Sequence, residues 1–125
     1  RTCRANEWPA DLFISLHCNG AEDSRAHGFE VWTSPGETAS DALASRILDV
    51  WKFRFPSVKL RQDFADGDGD KESQFWVLRK TKMPAVLVEL GFVTNPDFER
   101  LTEDPKMTDA WAQALAEAVG RWIDG

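Results

Sequence analysis

The chain's 125 residues suit one domain around one hydrophobic core, and its 42% hydrophobic and 29% charged residues are typical of a globular protein. Its 21 acidic and 15 basic residues give a net charge of −6, and Lys and Arg form no block, so neither nucleic acid nor an anionic membrane is an expected partner. No apolar run approaches the roughly 20 residues that cross a bilayer.

The first predicted element is a helix. Arg1 to Glu7 has helical character but no capping residue ahead of it, and the pair Trp8-Pro9 ends it. The uncapped start predicts that the chain begins inside a longer domain. Of the two cysteines, Cys18 alternates with apolar residues and is expected to be a buried thiol, with a disulfide to Cys3 as the less favoured alternative.

The next predicted elements are two strands and a helix. Residues 12–16 are almost continuously apolar, which predicts a strand in the centre of a sheet. The sequence "FEVWT", residues 29–33, predicts a second strand. Residues 40–53 predict a helix, because their apolar residues recur at helical spacing: Leu43, Ile47, Val50 and Trp51.

The polar segment "KLRQDFADGDGDKES" follows this helix and is expected to be a surface loop. Its acidic run, Asp66 to Asp70, suggests a calcium loop. However, an EF-hand counted from Asp66 would have Lys71 where glycine is needed and Val77 where glutamate is needed. A solvated turn is therefore the favoured interpretation.

The last part of the chain predicts two strands, "FWVL" and "AVLVEL", followed by two helices. Asn95-Pro96 caps a short helix that runs to about Leu101, and Asp104-Pro105 begins the last helix. Strands that alternate with helices predict a three-layer α/β fold, in which helices flank a mixed, mostly parallel sheet.

Two ionisable residues end apolar strands. His17 follows the first strand, and Glu89 lies near the end of "AVLVEL". A bare carboxylate in a protein interior is costly, so Glu89 needs a partner, a metal or a proton. Ligands of α/β sheets bind where strands end, which suggests that the two residues converge on one site. A hydrogen-bonded core histidine and a Glu–Arg ion pair explain the spacing equally well.

The residues around these positions resemble the two signature segments of zinc-dependent N-acetylmuramoyl-L-alanine amidases, which are cell-wall hydrolases. "ADLFISLHCNG" resembles the family's Ser-x-His-x-Asn segment, with Ser15, His17 and Asn19. "MPAVLVELGFVTNPDFERL" resembles its Glu-x-Gly-Phe-x-x-Asn segment, which runs here from Glu89 to Asn95. "GFEVWT" and "FWVLRKTKMPAVLVE" are similar to the family's middle part, so the resemblance covers nearly the whole chain.

The resemblance implies a phosphorylase/hydrolase-like fold and a monomeric, extracytoplasmic enzyme that acts on peptidoglycan. It would cut the amide between the lactyl group of N-acetylmuramic acid and L-alanine. His17 would be a Zn²⁺ ligand, and Glu89 would be the catalytic acid or base. Asn19 and Arg79 would contact substrate, although loop capping by Asn19 and an ordinary surface ion pair of Arg79 are alternatives.

One departure from the family pattern is important. The family's site also uses a histidine and a glutamate that would lie upstream of Arg1, and a catalytic zinc normally has three protein ligands. The resemblance therefore implies that residues 1–125 are a single catalytic-type amidase domain without its N-terminal strand-helix-strand portion. Two alternatives stay open: a non-catalytic cell-wall-binding module with an incomplete metal site, and a zinc peptidase of other specificity.

Overall fold

The computed structural model describes all residues, 1–125, and contains nine helices and strands. None of its helices has both the length and the apolar character needed to cross a membrane. In chain order the elements are α1 (Thr2–Glu7), β1 (Phe13–Asn19), β2 (Glu30–Thr33), α2 (Ala39–Arg54), β3 (Lys71–Glu72), α3 (Trp76–Arg79), β4 (Ala85–Phe92), α4 (Pro96–Thr102) and α5 (Pro105–Ile123).

The four strands form one sheet in the order β1-β4-β2-β3. β1 and β4 are parallel, β2 and β3 are parallel, and β2 is antiparallel to β4. Helices lie on both faces of this sheet, which confirms the predicted three-layer α/β fold with a mixed, mostly parallel sheet.

The main core lies between one face of the sheet and the helices α2 and α5. Thr38 and Asp41 form a capping box that begins α2, and this helix then presents its apolar stripe to the sheet. The rings of Phe29 and Trp51 stack with their centroids 4.1 Å apart. The buried members of this core include Val31, Leu43, Ile47, Val86, Val88, Trp111 and Ala118.

The opposite face of the sheet has a smaller core. Leu78 of α3 packs there against Ala85 and Leu87 of β4. Because side chains alternate along a strand, Glu89 lies on this same face, one step beyond Leu87. The small core therefore covers the first half of β4 on this face.

The structure corrects the prediction of a strand at "FWVL". Trp76–Arg79 is one helical turn, in which Leu78 is buried and Trp76 is exposed. The hydroxyl of Thr81 donates to the carbonyl of Val77 and closes the turn. Four apolar residues are too few to show whether their period is that of a strand or a helix.

The segment after α2 is not simply a surface loop, as its polar composition predicted. Leu60 forms a bridge with Phe29, and Lys71–Glu72 form β3 alongside β2. Asp70 is only 2% exposed. Composition misled here because main-chain hydrogen bonds and buried polar contacts attach this segment to the sheet, and Leu60 is its one apolar residue that packs on the main core.

Two expectations about β1 are also wrong. β1 is an edge strand of the sheet rather than a central one, and the helices pack mainly on β2 and β4. Leu16 is consequently 53% exposed, and Cys18 is an exposed thiol instead of a buried one. Cys3 is also exposed and free, so the structure contains no disulfide.

Candidate active site

His17 and Glu89 are register partners on the parallel strands β1 and β4. On its other side, Glu89 is the register partner of Glu30 on the antiparallel strand β2. Side chains at paired positions of neighbouring strands point to the same face of a sheet. The fold therefore places one imidazole and two carboxyl groups side by side across three strands.

The imidazole of His17 is held by the strand that carries it. Ser15 precedes it by two residues, lies on the same face and is buried. Its Oγ and the Nε2 of His17 form a hydrogen bond of 2.9 Å. His17 itself is exposed, so the second ring nitrogen can bind a ligand. An oriented histidine with one free nitrogen is the usual form of a metal-binding histidine.

Glu89 carries an unsatisfied polar atom. Its side chain is partly buried, and its Oε2 is buried without any hydrogen-bond partner. Burial raises the pKa of Glu89 to about 7, and the negative charge of Glu30 adds to this rise. Because unpartnered buried oxygens are rare, this one indicates a site for a proton, a cation or a substrate hydrogen.

Glu30 is the functional neighbour that sequence analysis missed. It is 2% exposed, and both of its oxygens have partners. Arg61 Nε lies 2.7 Å and Lys71 Nζ 3.5 Å from Oε1, while the indole of Trp32 donates to Oε2 at 2.8 Å. Glu30 is thus a fixed negative charge beside Glu89, with no oxygen left free.

The only sequence signal for Glu30 was its position between the apolar residues Phe29 and Val31. That pattern predicts an outward-facing side chain on a solvated strand. Its main partner, Arg61, lies in the segment that was expected to be a surface loop, so the pairing could not be deduced from local pattern.

Asn19 ends β1, two residues beyond His17, where an irregularity interrupts the register with β4. Its Oδ1 accepts a hydrogen bond of 2.9 Å from the amide of Gly20. Asn19 therefore caps the loop that follows β1, which was one of the two expected roles. Contact with substrate stays a prediction.

Arg79 lies at the end of α3, away from Glu89. It is exposed and lines a cleft with Ser40, Lys82 and Pro84 at the start of β4. Glu89 is four residues further along this strand than Ala85, or roughly 13 Å. Arg79 takes part in none of the six ion pairs. Arg61 and Lys71, rather than Arg79, form ion pairs with Glu30, the register partner of Glu89.

The donor chemistry of this site fits zinc in part. Zinc takes imidazole nitrogen and carboxylate oxygen, and His17 and Glu89 present one of each. Glu30 is a poor further ligand, because its buried carboxylate is already paired with the two cations of Arg61 and Lys71. The site therefore offers fewer donors than the three protein ligands of a catalytic zinc.

A histidine beside an unpartnered glutamate gives this sheet groups of the kind that hydrolases use to move protons, and sequence comparison identifies the family. The Amidase_3 family, described as N-acetylmuramoyl-L-alanine amidase, matches residues 1–121. The chain therefore belongs to this family, which confirms the resemblance of its motifs.

Known relatives agree with this assignment. The chain is 39% identical over 122 residues to the N-acetylmuramoyl-L-alanine amidase CwlM of Bacillus licheniformis, a match that covers 93% of this chain and 40% of CwlM. It superimposes on an N-acetylmuramoyl-L-alanine amidase from Clostridium difficile 630 with a TM-score of 0.87 and 29% identity, over 99% of this chain and 63% of that one.

The catalytic domain of CwlV from Bacillus (Paenibacillus) polymyxa var. colistinus gives a TM-score of 0.84 with 27% identity, over 98% of this chain and 63% of that one. The chain thus spans about two fifths of the curated relative CwlM and less than two thirds of each of these solved chains.

Proposed function

We propose that this chain contributes to the active site of a zinc-dependent enzyme that hydrolyses peptidoglycan. The bond cut would be the amide between the lactyl group of N-acetylmuramic acid and L-alanine. The observation that carries this proposal is the pairing of His17 with Glu89, whose Oε2 is buried and unpartnered. Membership of the amidase family supports it.

His17 would hold the zinc ion through the ring nitrogen that Ser15 does not bind. Zinc supplies a bound water whose pKa is lowered to about 7. We infer that the other protein ligands come from the N-terminal strand-helix-strand portion of the domain, outside residues 1–125. The uncovered side of β1, next to His17, is the position in the sheet where such a portion would pack.

Glu89 would act as the acid and base. Its unpartnered oxygen would accept a proton from the attacking water and then donate it to the leaving nitrogen of L-alanine. The fixed negative charge of Glu30 raises the pKa of Glu89. No cation forms an ion pair with Glu89, so its carboxyl group is free to exchange a proton. Arg61 and Lys71 do not compete for Glu89, because they are bound to Glu30.

The substrate and location follow from this chemistry. Asn19 is proposed to contact the stem peptide or the sugar, because it follows His17 by two residues on the same strand. Arg79 is proposed to attract substrate carboxylates from the cleft at the start of β4. Because peptidoglycan lies outside the cytoplasmic membrane, we propose that the enzyme is extracytoplasmic. We also propose that it acts as a monomer.

The second candidate function is a cell-wall-binding module without catalysis. It is favoured by the small donor set: once Glu89 serves as the acid and base, His17 is the single zinc ligand left in residues 1–125. One experiment separates the two functions: zinc content and release of peptides from purified peptidoglycan are measured for the 125-residue chain and for a version extended upstream. The E89Q variant of the extended version is the matched control.

We expect the extended version to bind about one zinc ion and to release peptides whose new amino terminus is L-alanine. E89Q should keep the zinc and lose about 10²–10⁴-fold in release. New termini other than L-alanine would indicate a zinc peptidase. Binding of peptidoglycan with neither zinc nor release would replace the enzyme proposal with the binding module.

A further inference from the structure

A second group of acidic side chains lies at the other end of β2. Asp41, Asp68 and Asp70, called here the aspartate cluster, each contribute one oxygen, and these three oxygens lie within 4.8 Å of one another. Asp41 belongs to the first turn of α2, and Asp70 immediately precedes β3. The cluster therefore joins two segments that are distant in sequence, the start of α2 and the residues just before β3.

Asp70 is the buried member of this cluster, with only 2% of its surface exposed. Thr33, the last residue of β2, donates its hydroxyl hydrogen to Oδ2 of Asp70 at 2.6 Å. Oδ1 of Asp70 is buried without a hydrogen-bond partner, and so is Oδ1 of Asp68. Two unpartnered oxygens in one cluster indicate that a positive group is needed between them.

No side chain supplies that positive charge. None of the six ion pairs in the structure includes Asp41, Asp68 or Asp70. Lys71, which follows Asp70 directly, instead binds Glu30 and lies over the ring of Trp32. The nearest lysine in sequence is therefore committed to the other end of β2.

Asp41 is fixed in its orientation before any ligand arrives. One of its oxygens accepts a hydrogen bond from the amide of Thr38 at 2.7 Å, and the other accepts from the hydroxyl of Thr38 at 3.2 Å. Each carboxylate oxygen has a second lone pair, so these bonds leave Asp41 able to bind a cation.

We propose that the aspartate cluster binds a divalent cation, with Ca²⁺ preferred. All of its donors are carboxylate oxygens, which hard cations select, and it has no nitrogen or sulfur donor of the kind that zinc favours. Calcium–oxygen distances of about 2.3–2.6 Å allow two ligands on opposite sides of the ion to be about 5 Å apart. The observed spacing of the oxygens is within that limit.

This site is distinct from the one at His17 and Glu89. Thr33, which holds Asp70, is three residues along β2 from Glu30, or roughly 10 Å. A bound ion would connect the start of α2 and the end of β2 to the segment that carries Arg61 and Lys71. The cation would thus stabilise the segment whose two basic residues hold Glu30.

A shared proton is the competing occupant of the cluster. Burial is the main cause that raises the pKa of Asp70 to about 7, and the neighbouring carboxyl of Asp68 contributes to the rise. A proton between these two carboxyl groups would satisfy their free oxygens without any metal. The experiment must therefore distinguish a cation from a proton.

The test is a Ca²⁺ titration of the chelator-treated chain at pH 7.5, followed by calorimetry and by thermal unfolding. We expect one Ca²⁺ per chain and a melting temperature that rises with its concentration. D68N and D70N should each weaken binding at least tenfold. D63N is the matched control, because Asp63 is an exposed acid of the same segment and should leave binding unchanged.

A second arm uses the double variant H17A/E89Q, which should bind Ca²⁺ as the parent chain does. Loss of Ca²⁺ binding in this variant would assign the ion to the other site and overturn the proposal. Absence of binding to the parent chain up to about 10 mM Ca²⁺ would also overturn it, and would leave the shared proton as the explanation. Because this result comes from the parent chain, it does not depend on whether a variant folds.

Discussion

His17 and Glu89 face the same side of the sheet as direct register partners, although more than half of the chain separates them. Their proximity depends on the parallel pairing of β1 with β4, not on a flexible loop. Glu30 completes the row from β2, and its buried ion pairs fix the charge beside Glu89. Each of these relationships predicts a measurable effect of substitution.

Substitution of His17 should remove zinc binding. In the version of the protein extended upstream, H17A is expected to lower zinc affinity more than about 100-fold, since even residues that only support a ligand contribute 10–100-fold. H27A is the matched control, because His27 is the only other histidine of residues 1–125 and is exposed. Equal zinc affinity of the two variants by competition with a chelator would contradict the assignment of His17.

Glu89 should make the stability of the metal-free chain depend on pH. Burial raises the pKa of Glu89 from 4.5 to about 7 in the folded chain. Between pH 4.5 and pH 7, the folded chain therefore keeps the proton of Glu89, whereas the unfolded chain loses it. The stability that this group contributes is therefore present below about pH 4.5 and is lost as the pH rises to 7.

The E89Q variant does not titrate at this position. In the presence of chelator, it should be more stable than the parent chain at pH 8 by an amount of the order of 2 kcal/mol, a value discounted for the partial solvent exposure of Glu89, with little difference at pH 4. Urea unfolding at both pH values measures this. A difference that stays constant across the pH range would show that Glu89 has the same pKa in the folded and unfolded chain, and would contradict the prediction.

The ion pair of Arg61 with Glu30 should contribute strongly to stability. R61Q leaves the carboxylate of Glu30 buried with Lys71 as its remaining cation, so a loss of about 2–4 kcal/mol is expected. R54Q is the matched control, because Arg54 pairs with Glu117 between helices and its loss should be clearly smaller. The prediction fails if denaturant unfolding gives the same loss for both variants.

Gly91 should not tolerate a side chain. A Cβ at this position would overlap the ring of Phe98, which stacks on Trp111. G91A is therefore expected to cost about 1–3 kcal/mol. G120A, at an open position of α5, should instead stabilise by about 0.5–1 kcal/mol, because alanine favours helix. Thermal unfolding should thus give opposite signs for the two variants.

Several elements could be predicted from local signals alone. Asn95 and Asp104 cap α4 and α5 with proline at the next position, as the sequence indicated. The two candidate site residues could be found because each is an ionisable group at the end of an apolar strand. Such signals depend only on neighbours in sequence.

Long-range contacts account for what could not be predicted. The burial of Glu30 depends on Arg61, and that of Asp70 depends on Thr33, and neither partner is close in sequence. The exposure of Cys18 depends on the position of β1 in the sheet order and on where the helices pack. A strand's own residues do not specify which side of it is covered.

The outer side of β1 carries a further consequence. Along this side the backbone amides and carbonyls have no neighbouring strand in the sheet, and the half-exposed Leu16 lies on the same strand. An edge of this kind can act as a template for intermolecular strand pairing. Concentrated preparations of the 125-residue chain should therefore self-associate through β1, and a charged residue in place of Leu16 should suppress this aggregation.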